Sequence, residues 1–288
     1  MPIRQHNVML YTAGGLIAAS VVTVLHQVAG DPQIGIVVPA AHAAVPLPGA
    51  GPAPAAAASA AITDLLLQDP LAVARMGRER YERDVRDYTC TLLKQERIAG
   101  KLRETEEIYV LYRESPHSVY MIWKKNADQA KRALFIDRPD FVDAQGRKLA
   151  VVEPAGAIIR LFVSEVKLPI HGPQAERASR RTIDEFGFRS LFGLLNRYNE
   201  IASQRGELDF RYTGEGEIDG RPTYVFVRLL PLGRGYPDAR LVVHLDQEWL
   251  LPTSVSSYAD TEGKQLLGSY VYTRVQLNPG LSEADFRF

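Results

Sequence analysis

Apolar residues recur along this chain with two different periods, and the period changes at Tyr88. Before it, Leu67, Leu71, Ala74, Tyr81, Val85 and Tyr88 fall at helical spacing, broken only by Arg78. Asp69-Pro70 predicts where that helix starts, because an Asp carboxylate caps free backbone N–H groups and Pro suits the first turn. Beyond Tyr88 the pattern alternates. Thr89–Arg97, Glu106–Arg113 and Ser118–Lys125 read as strands, with a turn at Ala99-Gly100, and Ala133–Ile136 and Leu149–Val152 read as shorter ones. One alternate set is distinctly apolar: Ile108, Val110 and Tyr112, then Val119, Met121 and Trp123. A strand with one apolar face and one half-polar face belongs in an antiparallel sheet that is covered on one side only.

The middle of the chain predicts a second helix from Thr182. Thr182 and Glu185 have the spacing of a capping box, and Ile183, Gly187, Leu191, Leu194, Tyr198 and Ile201 form a stripe that Phe186, Phe188 and Leu195 widen. A stripe that wide must lie on a sheet or on another helix. The turn-rich segment before it, Leu168–Arg181, reads as a long loop. The last third is a β-meander: Asp219-Gly220 is a hairpin turn, and strands follow at Thr223–Leu229, Arg240–Asp246, Thr253–Tyr258 and Gln265–Val275. No βαβ alternation appears. The expected fold is α+β: one large, curved antiparallel sheet covered by two or three amphipathic helices.

Composition divides the chain. Residues 1–61 carry almost no charge beyond Arg4 and Asp31. Arg4 precedes an apolar run, Val8–Leu25, in the order of an export signal. Two small-residue exits follow, Val28-Ala29-Gly30 and Ala41-His42-Ala43. The same run also has about the length needed to remain in the inner membrane as an anchor. Residues 44–61 are rich in Pro and Ala, lack large apolar side chains, and read as a disordered spacer. The expected organisation is therefore a signal peptide or anchor over 1–43, a spacer over 44–61, and a single mostly β domain over 62–288. The expected location is the periplasm, either free after cleavage or tethered through residues 8–25.

Charge and chemistry narrow the function. The 34 basic and 34 acidic residues cancel, which argues against nucleic acid as the partner. The single cysteine, Cys90, shares a strand face with Tyr88 and Leu92 and reads as a buried apolar residue. His117, His171 and His244 are dispersed, so no metal and no cofactor is expected, and no nucleophile elbow, zinc-protease helix or phosphate loop occurs. The carboxylate pairs, such as Asp137 with Asp140, are explained by turns and helix starts. An enzyme is not expected.

The segment Asp87-Tyr-Thr-Cys-Thr-Leu-Leu-Lys-Gln-Glu-Arg97, followed by Gly100-Lys-Leu102, resembles a bacterial envelope family, the domain of unknown function 1571. Ser118-Val-Tyr-Met121 and Thr182-Ile-Asp-Glu-Phe-Gly187 resemble its next landmarks in the same order. Leu251-Pro252, Asp260–Lys264, Leu277-Asn278-Pro279 and Asp285-Phe286 are similar to the ending of the periplasmic lipoprotein-carrier (LolA-like) fold. That resemblance implies a half-open barrel whose concave apolar face holds a lipid or a lipoprotein acyl chain. The candidate ligand-binding residues are then Ile108, Val110, Tyr112, Val119, Met121 and Trp123. The alternative is a non-catalytic structural or protein-interaction module of the envelope, with the sheet interior packed solid.

Overall fold

A computed structural model of the protein describes residue 62, residues 64–156 and residues 164–288. The expected export signal, anchor and spacer lie outside the described residues. A short helical segment at 64–68 leads into helix α1, Pro70–Asp84. Asp69 caps α1 as its sequence suggests, its Oδ1 accepting from the Ala72 N–H at 3.0 Å. The helix ends four residues earlier than its apolar stripe implies. Val85 is already extended, and Tyr88 belongs to the first strand.

Twelve strands form one antiparallel sheet. They are β1 (Asp87–Ile98), β2 (Lys101–Leu102), β3 (Glu106–Arg113), β4 (Ser118–Lys125), β5 (Ala130–Ile136), β6 (Leu149–Pro154), β7 (Val166–Pro169), β8 (Asp209–Ile218), β9 (Arg221–Leu229), β10 (Arg240–Asp246), β11 (Pro252–Tyr258) and β12 (Leu266–Leu277). The order is β7-β6-β5-β4-β3-β1-β12-β11-β10-β9-β8, with β2 paired to β1 at one end. Among the described residues the sheet is open, its edges being β7 and β8. Two meanders, β3–β7 and β8–β12, are therefore joined in space by β1 pairing with both β3 and β12. The predicted turns hold: Ala99 and Gly100 (φ 48° and 80°) and Asp219 and Gly220 (φ 55° and 73°) have the left-handed pairs that match strand twist in two-residue hairpins.

Helices α2 (Pro173–Ala178) and α3 (Phe188–Gln204) separate the two meanders. The expected long loop at Leu168–Arg181 is thus corrected: it contains the end of the edge strand β7 and the short helix α2, neither of which has an internal hydrophobic period. The second helix also starts later than expected. Thr182 and Glu185 do pair, the Thr182 N–H donating to Glu185 Oε2 at 3.2 Å, but they close only a 3₁₀ turn, Ile183–Glu185. Gly187 then adopts φ +119°, and a Cβ there would lie 2.6 Å from the Tyr112 ring. The chain bends against that ring before α3 can begin.

One face of the sheet carries the main core. Cross-strand register puts Tyr88, Cys90 and Leu92 beside Tyr112, Val110 and Ile108, and these beside Val119, Met121 and Trp123. Helices α1 and α3 pack on each other and onto this face, through Val73 and Tyr81 from α1 and Phe188, Phe192 and Leu195 from α3. The opposite face of β4 and β5 is covered by the chain's last residues. Phe286 and Phe288 pack with Tyr120, Leu134 and Ile136, and Arg113 and Arg132 each lie 4.7 Å over one of those rings.

Candidate ligand-binding site

The same sheet face is solid in one part and hollow in another. Where α1 and α3 lie on β1, β3 and β4 it is close-packed. Farther along, the segment from Ile170 to Phe186 bridges from β7 to α3 and stands off the sheet. Between them is an open cavity of about 690 Å³, within the size range of small-molecule and lipid sites. Its floor is Leu92, Tyr270, Tyr272, Val255, Leu241 and Val243, and one wall is Met121, Trp123, Ala133, Ala150 and Val152. Helix α3 forms the roof with Leu191, Leu194, Leu195 and Tyr198, at i, i+3, i+4 and i+7. Its width of apolar surface now has a physical reason. One stripe (Phe188, Phe192, Leu195, Asn199, Ala202) is buried in the core, and the adjoining stripe faces the cavity.

Charged groups punctuate this apolar lining. Lys94, Glu96 and Glu106 continue the inward alternation of Leu92 and Ile108, so backbone parity turns them toward the interior. Lys94 Nζ lies 2.7 Å from Glu106 and 3.6 Å from Glu96, and Glu106 accepts from the Trp123 indole N–H at 2.8 Å. Glu96, only 3% exposed, accepts from the Tyr270 hydroxyl (2.6 Å), the Ser179 hydroxyl (2.9 Å) and the Arg180 N–H (3.2 Å). Burial, with Glu96 alongside, pushes the Tyr270 phenol well above its ordinary range. The network is satisfied within itself, as buried charge requires, and it latches the covering segment to the sheet. Arg103 reinforces the latch by donating to the Arg177 carbonyl at 2.9 Å.

A second polar group lies across the cavity on β9. Arg228 follows Tyr224 and Phe226 inward, is 2% exposed, and lines the cavity with Asp238. Its Nη2 donates to both Asp238 oxygens at 3.0 and 3.1 Å, and its Nη1 donates to Asn199 Oδ1 on α3 at 3.1 Å.

The six residues predicted from the strand pattern do share one face, but they divide between the two regions. Met121 and Trp123 line the cavity. Ile108, Val110, Tyr112 and Val119 are at most 2% exposed and lie in the packed core under the helices. The roof and the covering segment were missed, because nothing local marks Leu168–Thr182 as facing a sheet. The inward charges did leave a signal: Lys94, Glu96, Glu106 and Arg228 occupy positions whose parity is otherwise apolar. Cys90 is fully buried, and burial raises its thiol pKa. His244 bonds to the Thr223 hydroxyl at 3.1 Å, and burial lowers its pKa. A smaller cleft lies beside Tyr112, Glu114, His117 and Asp184. There Glu114 accepts from Tyr81, Tyr112 and Arg189, tying α1, β3 and the start of α3 together. Among the described residues no group of three or more His, Cys, Asp or Glu side chains is arranged to hold a metal, and no helix is long and apolar enough to cross a membrane.

An open antiparallel sheet folded over an apolar cavity, with helices as its cover, defines the class of protein. The chain belongs to the family described as "Protein of unknown function (DUF1571)", whose model matches residues 85–288. No curated protein matches it. It is similar to the crystal structure of MucB, at 18% identity and a TM-score of 0.44, over 75% of this chain and 63% of that one. It is similar to the lipoprotein LppX of Mycobacterium tuberculosis at 14% identity and a TM-score of 0.39, over 74% and 98% of the two chains. A LolA superfamily protein of Nitrosomonas europaea aligns at 10% identity and a TM-score of 0.25, over 75% and 97%.

Proposed function

We propose that this protein binds a hydrophobic ligand, a lipid or a lipoprotein acyl chain, in the cavity between its sheet and α3. The reading is carried by one observation: about 690 Å³ of mostly apolar space under a covering segment, on a sheet face that elsewhere carries the main core. A fold needing only stability would fill that space, since a void forfeits contacts on every side that lines it. Burying alkyl chain contributes about 0.8 kcal/mol per methylene, so about eight methylenes supply about 6 kcal/mol before the ordering costs of binding. Met121 and Trp123 are the members of the predicted set that touch ligand; Ile108, Val110, Tyr112 and Val119 hold the adjoining sheet rigid. The half-open barrel, and periplasmic export through the pattern of residues 1–43, belong to the same proposal. Native mass spectrometry of protein purified from the envelope fraction tests it, with lipid extraction as the second readout. Copurifying lipid is expected, and Val152→Phe, which fills the cavity from β6, is expected to abolish it without lowering the melting temperature. Repeated recovery of ligand-free protein that also fails to bind N-phenyl-1-naphthylamine, an uncharged apolar fluorophore, would overturn the reading.

A further inference from the structure

The charges at the mouth of the cavity are unevenly paired. Four charged residues that line it are also exposed: Asp128, Arg180, Arg181 and Glu185. Asp128 is taken by Arg103 at 2.5 Å, and Glu185 accepts from the Thr182 N–H at 3.2 Å. Among the buried and half-buried lining residues, Lys94 pairs with Glu106 and Arg228 with Asp238. Arg180 and Arg181 differ from all of these. Among the described residues neither guanidinium has an ion pair or a hydrogen bond, although the backbone that carries them is pinned. The Arg180 N–H donates to Glu96 at 3.2 Å, and the Arg181 N–H donates to the Ser179 hydroxyl at 3.4 Å. Both guanidinium charges also act on the Tyr270 phenol, opposing the rise that burial and Glu96 impose on it. They therefore stand within electrostatic reach of a hydroxyl on the cavity floor.

An exposed guanidinium is well solvated, so its lack of a partner carries no strain. Its position matters instead. An alkyl chain buried in the cavity must leave its polar head where water remains, because a head group drawn into apolar space loses its hydration. That place is the rim, and the charged groups left free there are two cations. A carboxylate or phosphate head keeps water on one side and gains charge-assisted, bidentate contact with a guanidinium on the other. A neutral head gains only an ordinary hydrogen bond, and a cationic head is repelled. We propose that the ligand is an anionic amphiphile, its acyl chain in the cavity and its phosphate or carboxylate head group held at the rim by Arg180 and Arg181. The inference rests on the ligand-binding reading above and names the head group of that ligand.

The test uses the full delipidated chain and displacement of N-phenyl-1-naphthylamine by dodecyl phosphate, dodecanoate and methyl dodecanoate. Partition from water differs among them, so the readout is the affinity ratio of each anion to the uncharged ester, in a variant relative to the wild type. The double variant Arg180→Gln, Arg181→Gln is expected to lower that ratio about five- to tenfold for at least one anion, and to remove most of its dependence on salt. Both side chains are exposed, and the bond from residue 180 to Glu96 comes from the main chain, so the melting temperature is expected to hold. Arg177→Gln, on α2 but absent from the cavity lining, is expected to leave the ratio within about twofold. Ratios unchanged for both anions in the double variant, or falling as far in Arg177→Gln, overturn the head-group assignment and leave the cavity reading intact. Inorganic phosphate at the same concentration is expected to displace nothing. Displacement by it assigns the rim to a free anion and overturns the amphiphile. Failure of the wild type to bind the fluorophore or any competitor overturns both readings.

Discussion

Gly77 and Gly193 both lie inside helices, and replacing each by Ala has opposite expected effects on stability. In an exposed helix interior Gly→Ala stabilises by about 0.8–1 kcal/mol, because Ala loses less backbone entropy on folding. Gly193 in α3 meets that condition: a Cβ there has nothing within 4 Å. At Gly77 in α1 a Cβ would lie 2.4 Å from the Leu250 carbonyl oxygen, 3.1 Å from Phe192 Cζ and 3.2 Å from Leu250 Cβ. Leu250 has little freedom to retreat. It has a left-handed φ of 58°, and its N–H is held by the Asp246 carbonyl at 2.8 Å. The added methyl therefore pushes α1 off its seat on α3, and overpacking of this kind costs about 1–3 kcal/mol. Gly77→Ala is expected to lose up to about 2 kcal/mol net, and Gly193→Ala to gain up to about 1 kcal/mol. Urea unfolding followed by the fluorescence of Trp123 and Trp249 reads both against the wild type with linear extrapolation. A Gly77→Ala protein as stable as the wild type would refute the close approach of α1 to the β10–β11 turn.

The remaining predictions concern titration, the thiol and the N-terminal boundary. Burial holds His117 and His244 below the ordinary imidazole value of 6.5, so the unfolded chain takes up protons that the native protein refuses. Stability is therefore full above about pH 6.5 and falls as pH drops from there toward the lowered native values; the double variant His117→Gln, His244→Gln should flatten melting temperature across that window, and an unchanged slope would count against burial as the cause. Cys90, at 0% exposure, should resist an aromatic disulfide reagent in the native protein and react at once in urea, and rapid native labelling would contradict its place in the core. Leu66 is 0% exposed within the main core. Protein beginning at residue 62 should then melt as the full chain does, whereas protein beginning at Pro70 should lose about 1.5–3 kcal/mol; equal melting of all three would show that Leu66 contributes nothing.

The parts of this protein that depend on near neighbours are legible in the amino-acid order alone. Period-two alternation marked β1, β3, β4 and the last meander, because a pleated strand turns successive side chains to opposite faces whatever lies beyond them. Asp69-Pro70, Ala99-Gly100 and Asp219-Gly220 marked a helix start and two hairpins, because caps and tight turns are decided within a few residues. Tertiary structure decided where the sheet face is solid and where it is hollow. Ile108 and Trp123 carry the same apolar signal on neighbouring strands, yet one lies in the core and the other lines a cavity, according to how closely the covering elements come down above each. The contacts that set that difference join residues far apart along the chain, Ser179 to Glu96 over 83 positions and Arg80 to Glu248 over 168. Such pairings follow from the strand order of the whole sheet and have no counterpart in any local pattern. For the same reason Lys94, Glu96 and Arg228 were legible as charges of inward parity, while their partners Ser179, Asn199 and Asp238 were not.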